Sequence, residues 1–156
     1  MIKEVVNCNK MQADKKKQQI NTLFDNSVPK NLVCDKTRIQ QIVNNLLGNA
    51  IKFSDERTRI TVECYYMPEH QMFQVTVIDQ GIQISDEEAA LLFTPYTTLP
   101  SARSTNQAGP GLGLYICRSL CKQMNGEIAL CNHIDPEIGV KAFLINVKAT
   151  VPEFVN

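Results

Sequence analysis

The chain has 156 residues, 44% of them hydrophobic and 21% charged, and its sixteen basic residues balance sixteen acidic ones. These values predict a single globular domain over 1–156 with a sizeable core, and they argue against nucleic acid as a partner. The start "MIKEVVNCNK" lacks an apolar stretch of signal-peptide length, and no run of about eighteen apolar residues follows. We therefore expect a cytoplasmic segment without direct membrane contact, which is compatible with a larger, membrane-anchored parent protein.

The six cysteines do not form a zinc-site pattern. No C-x-x-C pair occurs, and only two histidines are available as further ligands. Cys117 and Cys121 are spaced one helical turn apart, and without a second ligand pair we interpret them as packing residues with inert thiols. We interpret His70, in "PEHQ", and His133, in "CNHIDP", as surface residues.

The N-terminal part predicts a short helix followed by a strand. Apolar residues near the start precede a lysine-rich run, and we interpret Lys15–Lys17 as a solvated surface. The segment "QINTLFD" then alternates in part between apolar and polar residues, as a strand does. After the turn residues of "NSVPKN" we expect a brief strand at Leu32–Cys34, and Asp35 is placed to cap a helix.

The segment from Asp35 to Phe53 has the clearest helical pattern. Its apolar residues recur three and four positions apart, which predicts an amphipathic helix. They are Ile39, Ile42, Val43, Leu46, Leu47, Ala50 and Ile51. At about 100° per residue, the opposite face carries two amides and two cations. These are Arg38, Asn45, Asn49 and Lys52.

The second half predicts a hairpin, two helices and two final strands. The segments "TRITVECYY" and "MFQVTVID" alternate around "MPEHQ", as antiparallel strands do around a turn. Ser85 and Glu88 have capping-box spacing at the start of a short acidic helix. A long polar loop runs from Thr94 to Gly109, and loops of that length are usually functional or mobile. A helix led by Leu114 precedes the strands "GEIALCN" and "GVKAFLINVKAT".

Two asparagines one turn apart in a helix require an explanation, because their side chains compete for backbone hydrogen bonds. A solvated polar face is one interpretation of Asn45 and Asn49. The other is that an amide oxygen ligates a hard cation such as Mg²⁺ while Lys52 contacts phosphate oxygens. Magnesium keeps several waters and takes few protein ligands, which suits so small a set.

Two glycine-containing motifs point to a ligand as well. "GPGLGLYICRSLCKQMNGEI" has three glycines within five residues at a helix start. Because glycine is costly there, the pattern favours close approach of phosphate to backbone amides, although a loop without a ligand is the alternative. In "VTVIDQG", Asp79 ends a strand two residues before Gly81, so its carboxylate could accept a hydrogen bond from a ligand amine. D-x-G is also common in ordinary turns.

In this order, the motifs resemble those of the ATP-binding catalytic domain of sensor histidine kinases, in the GHKL superfamily. "DKTRIQQIVNNLLGNAIKFS" is similar to the N-box, "DQGIQI" to the first glycine box, "LFTPY" to the F-box and "GPGLGL" to the second glycine box. The resemblance spans nearly the whole chain, with 1–17 as a lead-in helix. It implies a Bergerat-type α/β (α+β) two-layer sandwich, in which helices cover one face of a mixed sheet of about five strands.

The resemblance also implies roles for individual residues. Asn49 would ligate Mg²⁺, Asn45 and Lys52 would be catalytic residues at the phosphates, and Asp79 would bind the adenine amino group beside Gly81. Further nucleotide-binding positions by the same resemblance are Ile84, Phe93, Arg103, Gly109, Gly111, Leu112, Gly113 and Leu114. The segment 97–108 would form the ATP lid, in which Arg103 is the only cation.

The function implied by the resemblance is transfer of the γ-phosphoryl group of ATP, with Mg²⁺, to a histidine on a separate dimerisation domain. A response-regulator receiver domain would be the downstream partner. Hydrolysing members of the superfamily carry a glutamate as general base at the Asn45 position, and an amide cannot take that role, so a kinase is favoured over an ATPase. Neither histidine resembles the phosphoacceptor helix, so we expect no autophosphorylation.

Two segments depart from the pattern of the family. Gln83 stands where D-x-G-x-G has its second glycine, and a side chain there could crowd the nucleotide. "GVKAF", from Gly139, is a loose version of the G-T-x-F ending. These departures leave open a second interpretation, in which the chain is a nucleotide-sensing or scaffolding domain without turnover.

Overall fold

The computed structural model describes residues 1–99, 109–132 and 139–152. In these ranges the chain forms four helices and five strands. In chain order they are α1 (Ile2–Lys15), β1 (Gln19–Phe24), α2 (Lys36–Phe53), β2 (Arg59–Met67), β3 (Met72–Asp79), α3 (Asp86–Leu91), α4 (Gly113–Gln123), β4 (Glu127–Cys131) and β5 (Lys141–Lys148). This order confirms the elements predicted from the sequence, with one exception.

The exception is the brief strand predicted at Leu32–Cys34. Only Val33 pairs there, through an isolated bridge whose two hydrogen bonds join its backbone to that of Thr150. Asp35 caps α2 immediately afterwards, so the chain turns into the helix before a second pair can form. The prediction of a strand is therefore wrong, although its central residue is paired.

The five strands form one mixed sheet in the order β1-β2-β3-β5-β4. Strands β1 and β2 are parallel, and the other neighbouring pairs are antiparallel. The hairpin of β2 and β3 supplies the centre of the sheet, where alternate residues such as Val62, Phe73 and Val75 are fully buried. Burial of each such side chain contributes about 1.5–3 kcal/mol to folding.

Helices α1, α2 and α4 cover one face of this sheet. All seven apolar residues predicted for α2 are buried, and they share one core with Ile2 and Val5 of α1 and with Cys117 and Cys121 of α4. Exposed residues such as Tyr65 lie on the opposite face of the sheet. This arrangement is the predicted two-layer sandwich.

Burial also explains the character of the α4 thiols. It raises the pKa of Cys117 to about 12 and that of Cys121 to about 11, so both stay protonated at neutral pH. The interpretation of these two residues as inert packing groups is confirmed. His70 is exposed in the β2–β3 turn, as predicted, and His133 lies outside the described residues. In the part of the chain that the structure covers, no helix is long and apolar enough to span a bilayer.

The helix starts follow the predicted capping. The Asp35 carboxylate accepts a hydrogen bond from the backbone N–H of Arg38 at 3.0 Å, as an N-cap residue does. At α3, Ser85 and Glu88 form the reciprocal bonds of a capping box. The first of these caps fixes where α2 begins and hence which of its side chains face the candidate site described below.

Side chains of the segment between α1 and β1 donate hydrogen bonds to the carbonyl groups at the C-terminal end of α2. Lys16 Nζ donates hydrogen bonds of 2.8–2.9 Å to the carbonyl groups of Ile51, Lys52 and Ser54. Gln18 Nε2 donates to the same end of the helix. A cation there is favourable because the last carbonyls of a helix lack partners and carry its negative dipole end. The interpretation of the whole Lys15–Lys17 run as solvated surface is therefore wrong for Lys16.

Substitution of Lys16 by methionine should destabilise the fold, because three helix-terminal carbonyls lose a charged donor. We expect the free energy of unfolding to fall by about 2 kcal/mol, as measured by urea denaturation followed by circular dichroism. Lys10→Met is the matched control, since Lys10 is exposed on α1. Equal stability of the two variants would show that the Lys16 contacts do not stabilise the end of α2.

Candidate functional site

A cavity of about 570 Å³ opens between α2, the C-terminal end of β3 and the N-terminus of α4. Most of the residues predicted to contact a ligand line it. They are Asn45, Asn49, Lys52, Asp79, Ile84, Gly109, Gly111, Leu112, Gly113 and Leu114. Residues from four separate parts of the sequence are thus brought to one cavity by the fold.

The α2 wall of the cavity carries two amides that contact each other. Asn49 Nδ2 donates a hydrogen bond to Asn45 Oδ1 at 3.3 Å. This bond uses the amide nitrogen of Asn49, and within the described ranges its carbonyl oxygen has no hydrogen-bond partner. Asn49 therefore offers the cavity an uncharged oxygen of the kind that hard cations accept.

Lys52 extends the same wall with a positive charge. Its Nζ lies 4.9 Å from the centre of the Phe53 ring, a cation–π distance. A Cβ added to Gly109 would lie 3.8 Å from this Nζ, so the ammonium group sits next to the glycine-rich segment. In the described part of the chain no carboxylate lies within ion-pair distance of Lys52. Its charge is thus available to an anion in the cavity.

The start of α4 forms the opposite wall. Its N-cap residue, Leu112, provides no side-chain hydrogen bond to the first turn. Gly111 has φ +71°, and a Cβ there would lie 2.5 Å from the carbonyl oxygen of Thr97. A Cβ on Gly113 would lie 2.5 Å from the Asn45 amide nitrogen. Glycine is needed at Gly111 because of its φ and the backbone contact, whereas a side chain at position 113 would displace the Asn45 amide. Within the described ranges the helix start has no side-chain cap, so its first amide N–H groups can hold an anion.

An ion pair lies in the floor of the cavity. Asp79 ends β3 directly opposite Lys141, which begins β5. Lys141 Nζ donates to Asp79 Oδ1 at 2.6 Å and to the Ile82 carbonyl at 2.9 Å. Asp79 Oδ1 also accepts from the backbone N–H of Gly81 at 2.8 Å and from Ser54 Oγ at 3.5 Å. The two charged side chains are only 2% and 6% exposed.

Apolar residues complete the lining of the cavity beside the ion pair. They were not predicted as site residues, and they include Ile82, Leu92, Leu99, Ile116 and Phe143. Since Asp79 and Lys141 neutralise each other, Lys52 leaves the described lining with a net positive charge. The cavity therefore combines an apolar floor containing one polar pair with walls suited to a polyanion.

Three predicted positions do not line the cavity. Gly81 lies beside it and donates its backbone N–H to Asp79, and a Cβ there would lie 2.6 Å from the Phe53 carbonyl oxygen. Phe93 is half-buried outside the cavity, with the Arg118 guanidinium 5.8 Å from its ring centre. Arg103 lies outside the described residues, as does most of the segment 97–108 predicted to be the lid.

Arg38 and Gln83 also lie away from the cavity. Arg38 was grouped with the polar face of α2, but its Nε pairs with Asp35 at 3.2 Å, about two turns before the first α2 residue of the lining, Asn45. Gln83 is exposed and does not contribute to the lining. The concern that Gln83 fills the nucleotide space is not supported by its position.

Comparison with known proteins decides the family. The sequence profile described as "Histidine kinase-, DNA gyrase B-, and HSP90-like ATPase" matches residues 34–150, which include every lining residue. The chain belongs to this family. Its sequence is 35% identical over 123 residues to Sensor protein EvgS of Escherichia coli K12, covering 78% of this chain and 10% of EvgS. It is 33% identical over 100 residues to Histidine protein kinase SaeS of Staphylococcus aureus USA300, covering 64% of this chain and 28% of SaeS.

Solved structures of histidine kinases share the fold. The nucleotide-free catalytic domain of histidine kinase ThkA is 26% identical, with a TM-score of 0.78 over 97% of this chain and 92% of that one. Full-length ShkA in complex with AMPPNP is 22% identical, with a TM-score of 0.80 over 97% of this chain and 30% of that one. The fold of this member is thus that of a histidine kinase catalytic domain, and the chain spans only a small part of its curated relatives.

The oxygen ligands available in the cavity of this family member fit a magnesium ion. No group of three or more His, Cys, Asp or Glu side chains able to hold a metal occurs among the described residues. Mg²⁺ does not need one, because it usually keeps several waters and binds through one or two protein oxygens and substrate phosphates. The partner-free carbonyl oxygen of Asn49 on the cavity wall meets that requirement.

Proposed function

We propose that the chain binds Mg-ATP in this cavity and transfers the γ-phosphoryl group to a histidine on a separate dimerisation domain. The observation that carries the proposal is the anion-binding arrangement of the two walls. The Lys52 ammonium, which has no counter-ion in the described ranges, lies next to Gly109, close to the uncapped start of α4. Together they offer a triphosphate a positive charge and backbone N–H donors that have no side-chain cap in the described part of the chain.

The residue roles in this proposal divide between the phosphates and the base. Asn49 ligates Mg²⁺, while Asn45 and Lys52 orient the phosphates, and Asp79 accepts a hydrogen bond from the adenine amino group. Gly109, Gly111 and Gly113 let the backbone approach the phosphates, with Leu112, Leu114 and Ile84 packing around the ligand. Mg²⁺, when bound, supplies neutralisation of the phosphate charge.

Asn45 favours phosphoryl transfer over hydrolysis. It lies on the cavity wall, its amide oxygen accepts a hydrogen bond from Asn49, and an amide has no basic group that could take a proton from water. Without a general base at this position, water would remain a poor nucleophile. Catalysis would then rest on positioning and charge neutralisation, as is usual for phosphoryl transfer.

The partners in this proposal are taken from the kinds of protein to which the chain is similar. EvgS and SaeS are named as a sensor protein and a histidine protein kinase, and the chain spans 10% and 28% of their lengths. We propose that a histidine-bearing dimerisation domain of the same kinase receives the phosphoryl group. A response-regulator receiver domain then accepts the phosphoryl group from this histidine. We place the domain in the cytoplasm, where ATP is available.

A second candidate is a nucleotide-sensing or scaffolding domain without turnover. It is favoured by the ion pair of Asp79 with Lys141, because a carboxylate already paired with an ammonium group is a weaker acceptor for a base. The exposed position of Gln83 argues in the other direction, since this residue leaves the cavity open. The two candidates differ in whether bound ATP is used.

Calorimetric titration of the chain with ATP and with a non-hydrolysable analogue, with and without Mg²⁺, tests the binding step. We expect both nucleotides to bind, and to bind more tightly with Mg²⁺, because the metal neutralises phosphates that one lysine cannot neutralise alone. Addition of a histidine-bearing dimerisation domain with radiolabelled ATP should then label that domain and leave the chain itself unlabelled.

The possible outcomes separate the candidates. Binding without transfer would support the non-catalytic domain, and steady phosphate release by the chain alone would support an ATPase. No heat at millimolar nucleotide would contradict the kinase and the nucleotide-sensing domain, and would leave the scaffolding domain as the supported candidate.

A further inference from the structure

Lys141 is a buried cation that the roles above leave unused. It begins β5, its side chain is 6% exposed, and it lines the cavity beside Asp79. Burial of an ammonium group is costly even when it is paired, and a well-packed apolar residue would often stabilise a core as well or better. A lysine at the floor of a ligand cavity therefore calls for a reason connected with the ligand.

Within the part of the chain that the structure describes, the hydrogen bonds of this pair leave one donor of Lys141 and one acceptor of Asp79 without a partner. An ammonium group has three N–H donors, and Lys141 directs one to Asp79 Oδ1 and one to the Ile82 carbonyl. Among the described residues, every hydrogen bond that the Asp79 carboxylate accepts ends on Oδ1. The third N–H of Lys141 and the Oδ2 atom of Asp79 thus remain for a molecule in the cavity.

We propose that Lys141 contacts the base directly and donates a hydrogen bond to N1 of adenine, while Asp79 Oδ2 accepts one from the neighbouring amino group. This inference rests on the proposed function and adds to it a residue that recognises the base through a hydrogen bond. Adenine carries the amino donor and the N1 acceptor on adjacent ring atoms, as a neighbouring carboxylate and ammonium require. A base without an acceptor at N1 would leave the Lys141 N–H unsatisfied in a buried site, which is costly.

Nucleotides altered at single ring positions test the contact without changing the protein. In 1-deaza-ATP a C–H group replaces N1, whereas in 7-deaza-ATP the change lies on the imidazole side of the ring. We expect the 156-residue chain to bind 1-deaza-ATP at least about tenfold more weakly than ATP, and 7-deaza-ATP within about twofold, because a hydrogen bond to a charged donor is lost only at N1. Calorimetry or competition with a fluorescent ATP analogue gives these ratios.

A substitution then assigns the effect to Lys141. In Lys141→Met the ratio of the ATP and 1-deaza-ATP affinities should fall to about two or less, because no donor remains to tell the two bases apart. Any general loosening of the site would weaken both nucleotides alike and leave the ratio unchanged. Lys148→Met is the matched control, since Lys148 lies at the other end of β5, is exposed and donates to the His70 carbonyl.

Each contrary outcome has a distinct meaning. Equal binding of ATP and 1-deaza-ATP by the unaltered chain would overturn the Lys141 contact while leaving the proposed function in place. A ratio that persists in Lys141→Met would also overturn it, since another group must then donate to N1. Failure of all three nucleotides to bind would overturn the proposed function and this inference together.

Discussion

Replacement of Asp79 by asparagine should lower the free energy of unfolding by about 3–5 kcal/mol, because it leaves the buried Lys141 ammonium without a counter-ion. The two side chains are 2% and 6% exposed and are joined at 2.6 Å, so solvent cannot compensate for the lost charge. Asparagine keeps the shape of the side chain and limits the change to its charge and hydrogen bonding. Urea denaturation monitored by circular dichroism measures the effect.

The double variant Asp79→Asn/Lys141→Met is the control for this expectation. When both partners of a buried ion pair are removed, the stability is often close to that of the parent, so the double variant should be more stable than Asp79→Asn alone. A change of less than about 0.5 kcal/mol in Asp79→Asn would contradict the prediction. It would mean that Lys141 finds another acceptor or reaches water when Asp79 is altered.

The fold was predictable where a strong local pattern coincides with burial. The spacing of apolar residues in α2 predicted all seven of its buried positions, and the Asp35 cap and the Ser85–Glu88 capping box were read from residue type and spacing. The mixed sheet followed from the family resemblance. Sequence reasoning failed at Leu32–Cys34, where strand-like composition has only one pairing partner, because pairing depends on a distant segment.

Contacts between distant segments explain what the sequence did not reveal. Lys141 was overlooked because its importance depends on the β3–β5 register, which sets it opposite Asp79 across 62 residues of chain. Lys16 looked like one member of a solvated run, and its three carbonyl partners lie 35 to 38 residues away. The loose ending "GVKAF" was the available signal for Lys141, since this residue lies where the chain departs from the G-T-x-F pattern.

The cavity also contains some residues that were predicted from local sequence patterns and others that only the fold reveals. The polar residues of the α2 face and the glycines before α4 were found from motifs whose spacing carries chemistry. The apolar floor was missed because residues such as Leu92 and Phe143 are indistinguishable in sequence from ordinary core residues. A binding site is thus visible in sequence mainly through the groups that bind charge.

Replacement of Asn49 by alanine should abolish the magnesium dependence of ATP binding. In the proposed site the Asn49 oxygen is the protein ligand of the metal, and within the described ranges it has no other partner. Loss of groups that support a metal commonly weakens its binding by about 10–100-fold, so Mg-ATP should bind to the variant no more tightly than metal-free ATP does. Calorimetric titrations with and without Mg²⁺ provide the comparison.

Gln41→Ala is the matched control for Asn49→Ala, because it removes an amide from the exposed face of the same helix and should retain the full effect of Mg²⁺. If Asn49→Ala still binds Mg-ATP as tightly as the unaltered chain, Asn49 is not the metal ligand. If the variant instead loses metal-free ATP binding as well, Asn49 acts mainly by holding Asn45, to which it donates at 3.3 Å, in position for the phosphates. The pair of titrations therefore separates a metal ligand from a residue that orders its neighbour, a distinction that affinity for Mg-ATP alone would not make.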